Sequence, residues 1–213
     1  STKAEIIWTV IPVIILVAMA NPAAKTLVKI EDTRGSELTV KVTGYQWKWQ
    51  YEYFDEGVSF FSTLAGPSNA ARQLDSGVDP GSVENYLLEV DNPLIVPQGL
   101  KVGVRITSND FIHSCWVPVF GMKKVAIPGF INEMWFRADE TGTYRGQCAE
   151  LCGRDHGFMP VVVEVVPADE FDAWLLEQQS ARRAETDRST TRASLDRNEA
   201  ADSETALRVA NAE

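Results

Sequence analysis

Gly146-Gln147-Cys148-Ala149-Glu150-Leu151-Cys152-Gly153-Arg154-Asp155-His156-Gly157-Phe158-Met159-Pro160 sets two thiols, an imidazole and a thioether at the spacing C-x3-C-x3-H-x2-M. Thiolate and thioether are soft donors that favour copper(I), and imidazole accommodates both copper oxidation states. One Cys with His and a distant Met would describe a mononuclear electron-transfer site. The second Cys permits two thiolates to bridge a pair of copper ions. Such a pair needs one more nitrogen, and the chain holds a single other histidine, His113, within Asn109-Asp110-Phe111-Ile112-His113-Ser114-Cys115-Trp116. That segment is far enough upstream to arrive on a neighbouring strand.

Two blander readings compete. Two Cys and two His make a closed tetrahedral zinc site, although nothing in zinc chemistry asks for Met159. A Cys148–Cys152 disulfide fits an oxidising compartment, as the copper-free form. Cys115 lies two residues from His113, hence on the same face of a strand. It reads as a small buried hydrophobe, not a third ligand.

Outward from the motif, the chain is mainly strand-like. Leu38–Phe54 is rich in β-branched and aromatic residues with partial alternation, as in one half-buried strand, and Gly44 inside it marks a bulge or a close approach. Residues 62–83 are rich in Gly, Pro, Ser and Asp and read as a long surface loop. Strands are expected at Tyr86–Asp91, Leu100–Thr107, Asn132–Arg137, Gly142–Gly146 and Val161–Val166, with turns at Pro93 and Pro97-Gln98-Gly99. Many short strands imply a Greek-key sandwich or barrel. The period then switches: acids crowd the first turn of Pro167–Leu176, and Phe171, Trp174 and Leu175 share one face of a short amphipathic helix. Residues 178–213 lack aromatics and read as a disordered or weakly helical tail.

Before the strands comes an apolar run. No residue from Ile6 to Ala24 is charged, and roughly 20 apolar residues span a bilayer. Its nine Ile, Leu and Val residues favour insertion by about 4 kcal/mol before Pro12 and Asn21 subtract. Residues 1–28 therefore read as a transmembrane helix and 29–37 as a connector. A signal peptide with Ala18-Met19-Ala20 at its cleavage site is the rival. The formal charge is −10 over 213 residues. The tail, with six Arg against seven acids, is nearly neutral, so about −9 lies before it. That balance offers nothing to nucleic acid and suits a basic protein partner steered by opposite potential.

These residues resemble subunit II of the haem–copper cytochrome c oxidases, over residues 3 to 177. Glu5-Ile6-Ile7-Trp8-Thr9-Val10-Ile11-Pro12 looks like the start of that family's second transmembrane helix, and the family's first helix is not among these residues. The resemblance implies a cupredoxin-like Greek-key barrel over 38–177 with a binuclear copper centre, CuA. It implies Cys148 and Cys152 as bridges, His113 and His156 as terminal ligands, and Met159 and the Glu150 carbonyl as weak axial ligands. It further implies that Trp47 receives electrons from cytochrome c, and that Glu52, Asp91 and Asp110 dock it. The Glu150 side chain would reach a Mg or Mn ion shared with the haem-bearing large subunit, and Glu5 would lie at a proton-channel entrance. The membrane would be bacterial cytoplasmic or mitochondrial inner, with the barrel on the periplasmic or intermembrane-space side beside the other oxidase subunits. Val125 stands where relatives usually carry Asp, which removes one polar contact near the large subunit. The alternative function is a membrane-tethered copper carrier. Nitrous oxide reductase shares the copper domain, but here a membrane helix stands where its propeller would be. Quinol oxidases have a related subunit without the ligands.

Overall fold

A 29-residue helix, α1 (Thr2–Ile30), leads into the barrel in a computed structural model that describes residues 1–186, 188 and 192. At 1.5 Å per residue it is about 44 Å long, more than a bilayer core of about 30 Å. Not one of its side chains is buried. A helix apolar on every face is suited to lipid or to a buried setting, and this one is long and apolar enough to cross a membrane.

Ten strands follow among the described residues: β1 (Leu38–Tyr45), β2 (Lys48–Tyr53), β3 (Val58–Ser62), β4 (Leu94–Pro97), β5 (Val102–Ser108), β6 (His113–Val117), β7 (Met122–Ala126), β8 (Asn132–Phe136), β9 (Gly142–Cys148) and β10 (Pro160–Val166). They form two five-stranded sheets ordered β3-β2-β1-β5-β8 and β4-β10-β9-β6-β7. The pairs β1–β5 and β4–β10 are parallel and the others antiparallel. The core between the sheets is aliphatic and aromatic: Val40, Val42, Tyr51 and Tyr53 belong to one sheet, Val96, Val117, Val163 and Val165 to the other. The fold is a mainly β, cupredoxin-like sandwich.

The expected single strand at 38–54 is a hairpin. It folds back at Gln46-Trp47, a cis peptide, and Tyr45 pairs with Lys48. No strand forms at Tyr86–Asp91. Asn85 and Leu87 have φ of 50° and 62°, a left-handed conformation that breaks an extended run, and only Val90 makes an isolated bridge, to Leu64. The 62–83 loop contains a short helix, α2 (Gly66–Ala71). The closing helix, α3 (168–186), continues past residue 177. Gln179 Nε2 donates to the Glu56 carbonyl at 2.9 Å, and the Ala, Glu, Gln and Arg there are good helix formers. Most of the expected tail lies outside the described residues.

The connector is fastened to the barrel. Lys101 Nζ donates to the carbonyls of Asp32 (2.8 Å) and Arg34 (2.7 Å). Trp135 Nε1 donates to Lys29 O at 3.3 Å, and Thr33 Oγ1 to Glu133 Oε2 at 3.0 Å. Lys124 Nζ pairs with Glu31 at 3.3 Å.

Candidate metal centre

Two adjacent strands deliver the first donors. β6 begins at His113 and β9 ends at Cys148, and Cys115 stands opposite Cys148 in their antiparallel ladder. Ala149 N–H donates to Ser114 O at 2.8 Å, so the register carries His113 to the mouth of the 149–159 loop. Two glycines make the approach possible. A Cβ on Gly146 would meet Trp116 O at 2.0 Å, and one on Gly44 would meet the His113 ring at 2.8 Å. The close approach expected at Gly44 is thus to a candidate ligand.

The donors converge pairwise. The two thiols lie 3.8 Å apart, far beyond the disulfide length of about 2.05 Å and within the span of two metal–thiolate bonds of about 2.3 Å each. Cys148 Sγ is 3.9 Å from His113 Nδ1 and 3.4 Å from Glu150 O. Cys152 Sγ is 3.5 Å from His156 Nδ1 and 3.6 Å from Met159 Sδ. Each thiol therefore has its own imidazole and its own weak donor. His113, Cys148 and Cys152, all buried, keep their donor atoms within 4.8 Å of one another. A single closed zinc site uses four donors. Six donors in two matching halves, with a thioether among them, fit soft copper better.

Surrounding groups fix this arrangement. Asp110 Oδ1 accepts from His113 Nε2 at 2.9 Å, which leaves Nδ1 facing Cys148 as the nitrogen free to take a metal. The hairpin lies over the loop: Gln46 Nε2 (2.9 Å) and Trp47 Nε1 (3.2 Å) both donate to Cys152 O, and Trp49 Nε1 donates to Met159 O at 3.2 Å. Gln46 and Trp49 are absent from the expected site, because Trp49 reads first as strand core and a lone Gln carries no signal.

The thiols titrate as a pair. Burial alone would raise Cys148, but hydrogen bonds from His113 and the backbone outweigh it and lower the thiol to about 6. Burial and the Cys148 thiolate push Cys152 up to about 12. The first proton leaves readily and the second resists, and a bound metal would displace it. Burial disfavours a charged His113, yet the bonds to Cys148 and Asp110 raise it on balance. Cys115 is pushed to about 12 by burial and then by the Cys148 charge, so it stays a protonated thiol near neutral pH.

The other expected residues are scattered. Trp47 is half-buried against Gly153, with the Arg154 guanidinium 5.5 Å from its ring. Glu52 pairs with Lys41 at 2.6 Å. Asp91 accepts from Thr63 N–H and Oγ1–H and from Asn92 N–H, at 2.7 Å each. Asp110 also accepts from Gln46 N–H at 2.8 Å. All three expected docking carboxylates therefore have internal partners. The Glu150 side chain is exposed, and Glu5 sits exposed in the first turn of α1.

A cupredoxin-like sandwich that gathers two thiols, two imidazoles and a thioether at one end, tied to an apolar helix, defines a class: membrane-anchored domains with a paired-thiolate, CuA-type centre. The chain belongs to the cytochrome c oxidase subunit II family. Residues 38–166 match the family model for cytochrome c oxidase subunit II, periplasmic domain. A probable cytochrome c oxidase subunit 2 of Rickettsia bellii is 44% identical over 172 residues, covering 80% of this chain and 60% of that protein. Cytochrome c oxidase subunit 2 of Cereibacter sphaeroides is 40% identical over 182 residues, covering 80% and 59%. The chain thus spans about six-tenths of the length of these relatives. The crystal structure of the periplasmic domain of subunit II of cytochrome oxidase (CoxB) of Bradyrhizobium japonicum matches with a TM-score of 0.60 at 39% identity, over 70% of this chain and 98% of that one. A mixed disulfide intermediate of subunit II (CoxB) with a thioredoxin-like protein matches with a TM-score of 0.57 at 38% identity, over 70% and 96%.

Proposed function

We propose that this chain is the electron-accepting subunit of a terminal oxidase, taking electrons from cytochrome c and passing them to haem in a large subunit. The observation that carries this is the pairing of each thiol with its own imidazole across a 3.8 Å thiol–thiol gap. Cys148 and Cys152 would bridge two copper ions, His113 and His156 would cap them, and Met159 and the Glu150 carbonyl would stand as weak donors. So held, the copper pair supplies a one-electron acceptor and donor. Asp110 holds the His113 tautomer, while Gln46, Trp47 and Trp49 cover the loop and keep water from the thiolates.

Trp47 is the electron entry in this reading, since its indole N–H reaches the carbonyl of a ligand residue. The acidic balance supports a basic donor protein, with Glu52, Asp91 and Asp110 as docking carboxylates. Phe111, Ile112 and Leu151 are exposed beside the ligands and offer apolar area for the large subunit. The exposed Glu150 carboxylate would reach a Mg or Mn ion shared with that subunit, and Glu5 would border a proton channel. Oxygen reduction and proton pumping belong to the large subunit, with this barrel on the periplasmic or intermembrane-space side. The relative captured in a mixed disulfide with a thioredoxin-like protein supports a copper-free state in which an external oxidant joins Cys148 and Cys152 in a disulfide, which a dithiol protein reopens by thiol–disulfide exchange. A copper carrier would favour an exposed, exchangeable site, and the burial of His113, Cys148 and Cys152 speaks against it.

Metal analysis and electron paramagnetic resonance of the purified chain test the reading. Two coppers per chain with a mixed-valence multi-line spectrum are expected. One zinc and no copper would overturn it.

A further inference from the structure

The two imidazoles are held in different ways. Asp110 fixes the His113 ring. The second ring nitrogen of His156 makes no hydrogen bond among the described residues, so its placement depends on the backbone of the 3-10 turn His156–Phe158. That turn starts after Asp155 and ends before Met159. A group that fixes residues 155 and 158 therefore fixes two donors at once.

Arg72 touches both. Its Nη1 donates to Asp155 Oδ1 at 3.3 Å, and its guanidinium carbon lies 4.3 Å from the centre of the Phe158 ring. The hydrogen bond that closes the turn, Phe158 N–H to Asp155 O at 2.9 Å, joins the same two residues. Arg72 is itself aimed, since Asn69 Oδ1 accepts from its Nε at 2.8 Å. The helix α2 behind it is anchored as well. Ser68 is fully buried and accepts from Leu87 N–H at 3.0 Å, and Ala65 N–H donates to Glu89 O at 3.0 Å. The Arg72 and Asp155 side chains are 21% and 16% exposed, so water screens this pair less than a surface one. Arg154, 81% exposed and 3.6 Å from the other Asp155 oxygen, is a surface partner of small worth and cannot replace it.

We propose that Arg72 is a positioning residue for the metal centre. Through Asp155 and Phe158 it sets His156 and Met159 against Cys152, and the 62–83 segment is the strut that carries it. This rests on the copper reading above, yet the strut exists before any metal binds.

The test uses the full chain in detergent with two variants. Arg72→Gln removes the charge and the fork. Arg72→Lys keeps the charge but loses the planar face on Phe158. In the metal-free chain, amide hydrogen exchange across residues 156–158 should rise about ten-fold in both, with β5 unchanged. After copper loading, release to a copper(I) chelator should quicken by about ten-fold, the lower end expected for lost supporting bonds. The paramagnetically shifted His156 resonances should move while those of His113 stay. Asp155→Asn, which leaves the Phe158 contact, should shift each in the same direction by less, and it carries the test if Arg72→Gln fails to fold. Wild-type exchange and wild-type His156 signals in the Arg72 variants would overturn the proposal, as would equal disturbance of both histidines. Faster exchange in a chain that takes up no copper would sink the copper reading and leave the strut standing.

Discussion

Gly44→Ala puts one methyl group against a candidate ligand. The new Cβ would lie 2.8, 2.9 and 3.1 Å from Cδ2, Cγ and Cβ of His113, where carbon contacts settle at about 3.5–4.0 Å. The ring would have to retreat by about 0.7 Å or more. It has little room to do so. His113 is fully buried, its Nε2 is tied to Asp110 at 2.9 Å, and the Trp49 ring packs edge-on at 5.9 Å between centroids. Overpacking of this kind costs about 1–3 kcal/mol, and any retreat carries Nδ1 away from Cys148. The metal-free chain should lose about 1–3 kcal/mol of stability, read by tryptophan fluorescence during denaturation. Copper affinity should fall by roughly 10–100-fold, the range for disturbed ligand supports, read by competition with a chelator. Gly157→Ala is the control: it adjoins His156, yet a Cβ there meets nothing within 4 Å. If Gly44→Ala matched Gly157→Ala in both measurements, the packing of Gly44 on His113 would be refuted.

Asp110→Asn replaces the oxygen that accepts from Gln46 N–H, or the one that accepts from His113, with a donor. Copper affinity should drop roughly 10–100-fold, and an unchanged affinity in a chelator titration would argue against the tautomer assignment. Trp47→Gln should leave association with cytochrome c nearly unaltered across ionic strengths and slow electron transfer within the complex in stopped-flow mixing; an unaltered transfer rate would remove Trp47 as the entry point. Thiolate ultraviolet absorbance of the metal-free, reduced chain should show a first midpoint near 6 that vanishes in Cys148→Ser, with the next thiols silent to near 12. Because Cys148 is lowered by folding, its stabilisation is present above an ordinary thiol pKa of about 8.5 and is lost as pH falls through 6. Cys152 has the opposite sign: its share holds below about 8.5 and disappears as pH rises through 12. A first midpoint near 8.5 would contradict the His113–Cys148 contact.

What the sequence reveals depends on whether the deciding interaction is local. Cys148, Cys152, His156 and Met159 sit within one loop, so their grouping shows in the spacing, and the clean alternation of Leu100–Thr107 reports β5. Gly44 is recognisable as a close approach, though what approaches it comes from 69 residues downstream. The turn at Gln46-Trp47 is hidden because it lacks the Asn-Gly or Asp-Gly signal of a two-residue hairpin. β4 is hidden because it is four residues bracketed by Pro93 and Pro97, and its partner β10 is distant in sequence. Arg72 is unreadable: a loop arginine acquires meaning only once Asp155 and Phe158 are beside it. The segment at 86–91 misleads in the other direction, since its β-like composition yields to left-handed Asn85 and Leu87.

The fastened connector limits how the barrel can move on α1. Lys101, Trp135, Thr33 and Lys124 join both sides of the junction between α1 and the barrel. A tether stapled at that many points acts more as a bracket than as a swivel. The fastening therefore restrains how far the barrel can turn about the end of α1. If the thiolate end carries electrons as proposed, a fastened junction favours a donor that travels to it over a barrel that travels to its donor.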